Sequence, residues 1–244
     1  MQELRIKLLF MIEDSDIKTY LYLSKNKFQV CVFDIKKQNN IYVDELNLNY
    51  NFNFQDTNDL SKFLDKNVYK IEKLANNFLK NIILIIEYNE NLNVNISIKK
   101  KNYENFIEKQ YLENSLTELK DLFNENYQDR RIMHMIIDNY IINDKKYSSL
   151  ITDQSIKHLC LEVNFISISN ELIIVLEKLM EKYQIKISEY MCGNYIKNYL
   201  KDSNSELSLI AHKLKNGLNH NEVILIPKNI ENKGFFEKFF QLFS

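Results

Sequence analysis

Residues 81–87 read NIILIIE, four isoleucines and a leucine in an unbroken run closed by a glutamate. A β-branched run this short is a strand buried on both faces, the pattern of a parallel strand lying under helices. It is far too short to cross a bilayer. Just upstream, Asp56 and Thr57 are good helix N-caps, and Leu60, Phe63, Leu64, Val68, Ile71, Leu74, Ala75, Phe78 and Leu79 follow at three- and four-residue steps. That spacing predicts one long amphipathic helix. Further upstream, LRIKLLFMI (4–12), IKTYLYL (17–23) and FQVCVFDI (28–35) read as three strands of an antiparallel meander. NIILIIE is then expected to run parallel to the first of them.

Downstream the character changes. LNVNISI (92–98) alternates like a one-faced strand, and a helix from about Glu108 to Asn126 carries Tyr111, Leu112, Leu116, Leu119, Leu122 and Phe123 on one side. RRIMHMIIDNYIIND (130–144) and SIKHLCLEVNFISI (155–168) are two long strand-like runs joined by a polar turn. After them Ser169 can cap a helix over Glu171–Tyr183, and IKISEY (185–190) is a short strand. Two helices, about 192–201 and 205–217, complete the pattern, with Gly217 placed to end the second.

Lifting out 92–167 as a strand-helix-strand-strand (SHS2-like) insert leaves three strands, helix, strand, helix, strand, helix. That is the α/β layout of a ribonuclease H-like or actin-like half domain, a mixed sheet with flanking helices. The expected organisation is 1–91 with 168–218 as the half domain, 92–167 as the insert, 219–233 as a linker and 234–244 as an amphipathic C-terminal helix.

Composition narrows the function. The 244 residues are 45% hydrophobic, enough for a substantial core, and the formal net charge of -1 leaves no basic footprint for nucleic acid. Cys31, Cys160 and Cys192 lack metal spacing and read as thiols in a reducing, cytoplasmic setting. Only Gly193, Gly217 and Gly234 are glycines, which disfavours a glycine-rich phosphate loop. His134 and His158 sit on adjacent predicted strands without a third ligand, so a structural role is expected; His212 and His220 are expected at the surface. Glu13, Asp14 and Asp16, with Glu72 or Glu87 as partners, are the only outline of a metal-dependent nuclease of the ribonuclease H class, and the basic track such an enzyme needs is missing. No catalytic, cofactor or metal residue is assigned.

The tail is the sharpest local feature. In GFFEKFFQLFS (234–244), Phe235, Phe236, Phe239, Phe240, Leu242 and Phe243 fall within roughly 160° of a helical projection, with Glu237, Lys238, Gln241 and Ser244 opposite. Such a helix either packs on its own domain or lies in a membrane interface with Lys238 toward the headgroups.

DRRIMHMIIDNYIIND (129–144) resembles the stretch of the bacterial cell-division protein FtsA family in which an arginine-hydrophobic-histidine strand leads into a tyrosine- and aspartate-bearing turn. SIKHLCLEVNFISISNELIIVLEKLMEKYQIKISEY (155–190) is similar to the segment that follows it. The strand-helix-strand-strand insert is likewise the small domain by which that family departs from actin. The resemblance implies a peripheral protein on the cytoplasmic face of the inner membrane at the division site, self-associating and holding other division proteins through the insert. It implies FtsZ as a partner only through the family's second half, which has no counterpart in these 244 residues. At the family's phosphate loop, Glu13-Asp14-Ser15-Asp16-Ile17-Lys18 keeps the lysine but not the glycine and threonine, and its aspartates would repel phosphate. The expectation is therefore a non-enzymatic scaffold without ATP or another cofactor. Its alternatives are a PilM-like pilus-assembly adaptor that binds a membrane partner's peptide, and the degenerate nuclease.

Overall fold

The computed structural model describes residues 16–101, 109–151, 156–200 and 206–223. They form two units. One comprises the described residues up to Glu87 with Val175–His212, the other Tyr88–Ile174 with the described residues from Lys213 onward.

The first unit is built on a five-stranded sheet of order β3-β2-β1-β4-β9, from β1 (Ile17–Leu23), β2 (Lys27–Asp34), β3 (Asn39–Asn47), β4 (Asn81–Ile86) and β9 (Lys186–Cys192). β1 pairs antiparallel with β2, and β2 with β3; β4 lies parallel to β1, and β9 parallel to β4. NIILII is thus a central strand flanked by two parallel neighbours, and each of its residues after Asn81 is buried. α1 (Asn58–Ala75) covers one face: Phe63 meets Phe28, and the buried Asn67 accepts from the Tyr42 hydroxyl while donating to the Phe63 carbonyl. α3 (Asn170–Glu181) meets the same face through Glu177, which accepts from the Tyr190 hydroxyl at 2.9 Å. α4 (Gly193–Lys197) and α5 (Leu207–Lys215) take the other face, where His212 lies 5.1 Å from the Phe33 ring.

The local signals explain the helix ends. Thr57 stands at the N-cap of α1 but makes no side-chain cap bond; the carboxylate before it, Asp56, accepts the Asn58 N–H at 3.1 Å instead, while Ser169 Oγ accepts the Leu172 N–H at 3.3 Å at the start of α3. α1 stops earlier than its periodicity predicts, because Asn76 turns left-handed at φ 49°. Phe78 therefore lies beyond the helix and is exposed rather than on its apolar face. Gly217, at φ 88°, follows α5 in the conformation glycine tolerates best.

The second unit holds a four-stranded antiparallel sheet of order β5-β8-β6-β7: β5 (Leu92–Lys101), β6 (Arg130–Ile142), β7 (Lys145–Tyr147) and β8 (His158–Ser169). α2 (Lys109–Asn126) covers one face with Leu112, Leu116, Leu119 and Phe123, which pack against Met135, Ile137, Leu161, Val163 and Phe165. Phe123 stacks on Phe165 at 4.9 Å.

Three readings need correction. The strand beside and parallel to β4 is Ile17–Leu23, so the meander is β1, β2 and β3, and the third strand, Asn39–Asn47, was not anticipated. LRIKLLFMI (4–12) lies outside the described residues. Residues 221–223, read as linker, instead bond to β6: Ile136 bridges Glu222, and the Val223 N–H donates to the Met135 carbonyl at 2.8 Å.

Candidate functional site

In open sheets of parallel strands, ligands bind beyond the carboxyl ends of the strands. β1, β4 and β9 end side by side at Leu23, Ile86 and Cys192. Glu87 comes next; its N–H donates to the Leu23 carbonyl at 2.8 Å, which fixes the carboxylate at the mouth of the sheet. There it accepts the Tyr22 hydroxyl at 2.6 Å and forms an ion pair with Lys197 of α4. Lys197 Nζ also donates to the Tyr22 hydroxyl at 3.0 Å and sits 5.3 Å from its ring centre.

The three groups satisfy one another. Burial, then the hydrogen bond to Glu87, raises the Tyr22 phenol above its ordinary value. Burial alone would lower Lys197, but its bonds to Glu87 and Tyr22 outweigh that and leave the ammonium raised. Gly193 closes the arrangement: a Cβ there would stand 2.6 Å from Glu87 Cγ and 3.4 Å from backbone atoms of Ile86 and Glu87. Chemically this is a neutralised carboxylate locked in place, with its charge spent on an internal cation.

The turn after β1 is equally self-contained. Ser24 N–H bonds to the Lys27 carbonyl at 2.9 Å, and the Lys25 and Asn26 carbonyls accept from Phe52 and Leu48 at 2.6 and 2.8 Å. Phe52 and Phe54 pack beneath it against Phe28 and each other. The segment compared with a phosphate loop is elsewhere. Ile17 and Lys18 belong to β1, Asp16 precedes it and pairs with Lys36 at 2.7 Å, and Glu13, Asp14 and Ser15 lie outside the described residues.

The nuclease outline does not assemble among the described residues. Glu72 accepts the Leu79 N–H just ahead of β4, whereas Glu87 follows its far end, one six-residue strand away. No cluster of three or more His, Cys, Asp or Glu able to hold a metal occurs among the described residues. His134 and His158 are not cross-strand neighbours, since β8 places Ile166 opposite His134 and His158 lies eight residues further along. His134 is instead buried with Nδ1 2.6 Å from Glu222 Oε1. The tail residues Phe235, Phe236, Lys238, Phe239, Phe240, Leu242 and Phe243 lie outside the described residues. No described helix is long and apolar enough to cross a membrane.

The second unit presents a sheet surface. On the sheet face opposite α2, Asn164 donates to Asn95 at 2.6 Å and Asn139 to Glu162 at 2.7 Å, while Lys146 pairs with Glu162 at 3.1 Å. Half-exposed Cys160, Ile136 and Ile141 lie among these polar rungs. Such a rigid, mixed polar and apolar face suits protein contact better than small-molecule chemistry.

Strand order and helix placement put the first unit in the ribonuclease H-like, actin-like fold class. No protein-family model matches the chain, and no curated protein matches it in sequence. Among solved structures it is similar to the cytoplasmic domain of EpsL, an inner membrane component of the type II secretion system of Vibrio cholerae, at 8% identity over 74% of this chain and 58% of that one, TM-score 0.35. It is also similar to the PilM–PilN type IV pilus biogenesis complex, at 7% identity over 75% and 49%, TM-score 0.42. A Bacteroides thetaiotaomicron protein with an actin-like ATPase fold is matched at 12% identity over 75% and 55%, TM-score 0.29. The chain spans about half to three-fifths of the length of these structures.

Proposed function

We propose that the chain is a non-catalytic scaffold of the actin-like fold class, an FtsA-like division component that docks protein partners on its insert and is held to the cytoplasmic face of the inner membrane by residues 234–244. The observation that carries the non-catalytic part is the Tyr22–Glu87–Lys197 closure of the strand ends, backed by Gly193. A carboxylate already neutralised by an internal lysine is a poor anchor for the metal that phosphate chemistry requires. The membrane part rests on the two-faced pattern of the tail. Burying part of several phenylalanine rings, with few lysines to help, gives weak and reversible attachment, so self-association is needed for a stable hold.

Flotation with anionic phospholipid vesicles tests this reading. The full chain should float and the chain ending at residue 233 should not; equal flotation of both removes the tail's role. Calorimetry at micromolar ATP should show no binding heat, and a measurable affinity would sink the non-catalytic assignment. A second reading, an adaptor that takes a short peptide from a membrane partner, is favoured by β5, which among the described residues pairs with β8 alone and so offers an edge for strand addition. That reading requires binding to survive loss of residues 234–244.

A further inference from the structure

β5 pairs with β8 along its whole length, in an unbroken register from Leu92↔Ser167 to Lys101↔His158, and among the described residues it pairs with no other strand. The bonds at its end show which backbone groups are left over. His158 turns away from β5: its N–H donates to the Asn143 side chain at 3.2 Å, and its carbonyl accepts the Asn143 N–H at 3.0 Å. Lys101, opposite it, is therefore in a non-hydrogen-bonded pair, and its carbonyl accepts from the Tyr111 hydroxyl at 3.2 Å. Alternation along an unbulged antiparallel ladder then turns the N–H and C=O of Asn93, Asn95, Ser97 and Lys99 outward as well.

This edge is undefended. Edge strands are commonly blunted by charge, a bulge or proline; residues 92–98 have none of these, and lysines begin only at Lys99. Their pattern is also symmetric. They read Leu-Asn-Val-Asn-Ile-Ser-Ile, aliphatic and small polar residues in mirror order about Asn95.

We propose that the β5 edge pairs with the β5 edge of a second copy of this chain, antiparallel and centred on Asn95, so that two insert sheets join into one. A two-fold axis between the two Asn95 residues sets Leu92 against Ile98 and Val94 against Ile96 of the other copy. These fall in non-hydrogen-bonded pairs, where side chains lie closest. All four are half-buried, and Ile96 and Ile98 lie at the margin of the insert core, so pairing extends each core toward the other. Lys99, Lys100 and Lys101 fall opposite residues 89–91, and no lysine faces a lysine. Moving the centre to Val94 or Ile96 would set Ile98 against Glu90 or Leu92 against Lys100. The same edge would take the peptide of the adaptor reading, but a peptide of unrelated sequence gains nothing from a mirror pattern. The second copy is the occupant that the strand's own symmetry selects. It supplies the self-association that the scaffold reading calls for, yet rests on the sheet edge alone, and its test uses no lipid, so its failure and failure of the tail are told apart.

Sedimentation velocity of the full chain in lipid-free buffer, from about 1 to 100 μM, should show a concentration-dependent monomer–dimer equilibrium. Ser97→Pro removes an outward N–H, spares the ladder to β8, and should raise the dimer dissociation constant by about 10-fold or more. Disulfide formation reads the register without relying on that variant. In a Cys160→Ser background, Asn95→Cys should cross-link to itself, as should a mixture of Asn93→Cys and Ser97→Cys chains, while Asn93→Cys alone should not. A chain that stays monomeric at the highest concentration overturns the proposal and leaves the edge to a peptide. So does a dimer that Ser97→Pro leaves intact and Asn95→Cys does not cross-link, because it would use another surface.

Discussion

The two sheets are covered differently. β4 lies between parallel neighbours with helices over both faces of its sheet, and five of its six residues are buried. β5 alternates half-buried and exposed along its ten residues, because only the α2 face is covered. A sheet sealed on both faces spends its side chains on its own core, and its strand ends are closed in the same manner by Tyr22, Glu87 and Lys197. The insert sheet is open on its other face around Asn95, Asn164 and Glu162, although His134, Ile166 and Ile168 are buried on that same face. The contrast is one of exposure: the strand ends of the first unit are closed by their own side chains, while the insert sheet leaves part of one face open.

The largest test of that contrast is core truncation in each unit. Phe165 is fully buried and stacked on Phe123, so Phe165→Ala should cost about 3–5 kcal/mol and show as early loss of exchange protection in the insert. Leu84→Ala, at a fully buried centre of β4, should cost about 2–5 kcal/mol and loosen the first sheet. If either change lowers protection equally in both units, they do not carry separate cores.

Gly193→Val should come next, at about 1–3 kcal/mol by chemical denaturation, since its Cβ would meet Glu87 Cγ at 2.6 Å. The clash is with a side chain that Tyr22 and Lys197 hold still. Glu87→Ala should therefore relieve part of the penalty, and a double-mutant cycle reads that coupling directly. Simple additivity would mean that the strand ends are not closed by this contact.

Much of this arrangement was legible in the chain. NIILII announced a buried parallel strand, Ser169 marked the start of α3, and the alternation in LNVNISI announced a sheet covered on one side. β3 was not legible because it is an edge strand: Ile41 and Val43 are 39% and 45% exposed, and Asp44, Glu45 and Asn47 break the apolar pattern. With β3 unread, the alternating run at 4–12 took the place of the first strand and moved the meander by one. α1 was read too long because an asparagine in the left-handed region ends a helix without interrupting its periodicity. Nor could spacing reveal the closed strand ends, since Tyr22 and Lys197 stand 175 residues apart. Glu87 after an apolar strand and Gly193 as one of three glycines were the only visible traces.

Alkali should weaken both units, through different groups. Burial pushes the Cys31 thiol from 9.0 to about 12, and the Tyr140 phenol from 10.0 to about 12. Both values are raised in the fold, so their contribution is whole below the unfolded value and is lost as pH climbs through the folded one. Cys31→Ala should flatten the loss of first-unit stability between pH 9 and 12, and Tyr140→Phe that of the insert between pH 10 and 12. Denaturation midpoints across that range check both.

The smallest effect is chemical and leaves the fold untouched. Cys31 and Cys192 are 5% and 4% exposed in the first sheet, while Cys160 lies on the half-open face of the insert between His158 and Glu162. Partial burial, with the charge of Glu162, raises the Cys160 thiol as well, so its advantage is one of access and not of acidity. At pH 8 iodoacetamide should therefore modify Cys160 slowly and alone in the native chain, and all three thiols in denaturant, as read by intact-mass and peptide mass spectrometry. Native labelling of Cys31 at the rate of Cys160 would mean that the first sheet opens as readily as the insert face. The division between a sealed unit and an open one would then fail at the level of a single side chain.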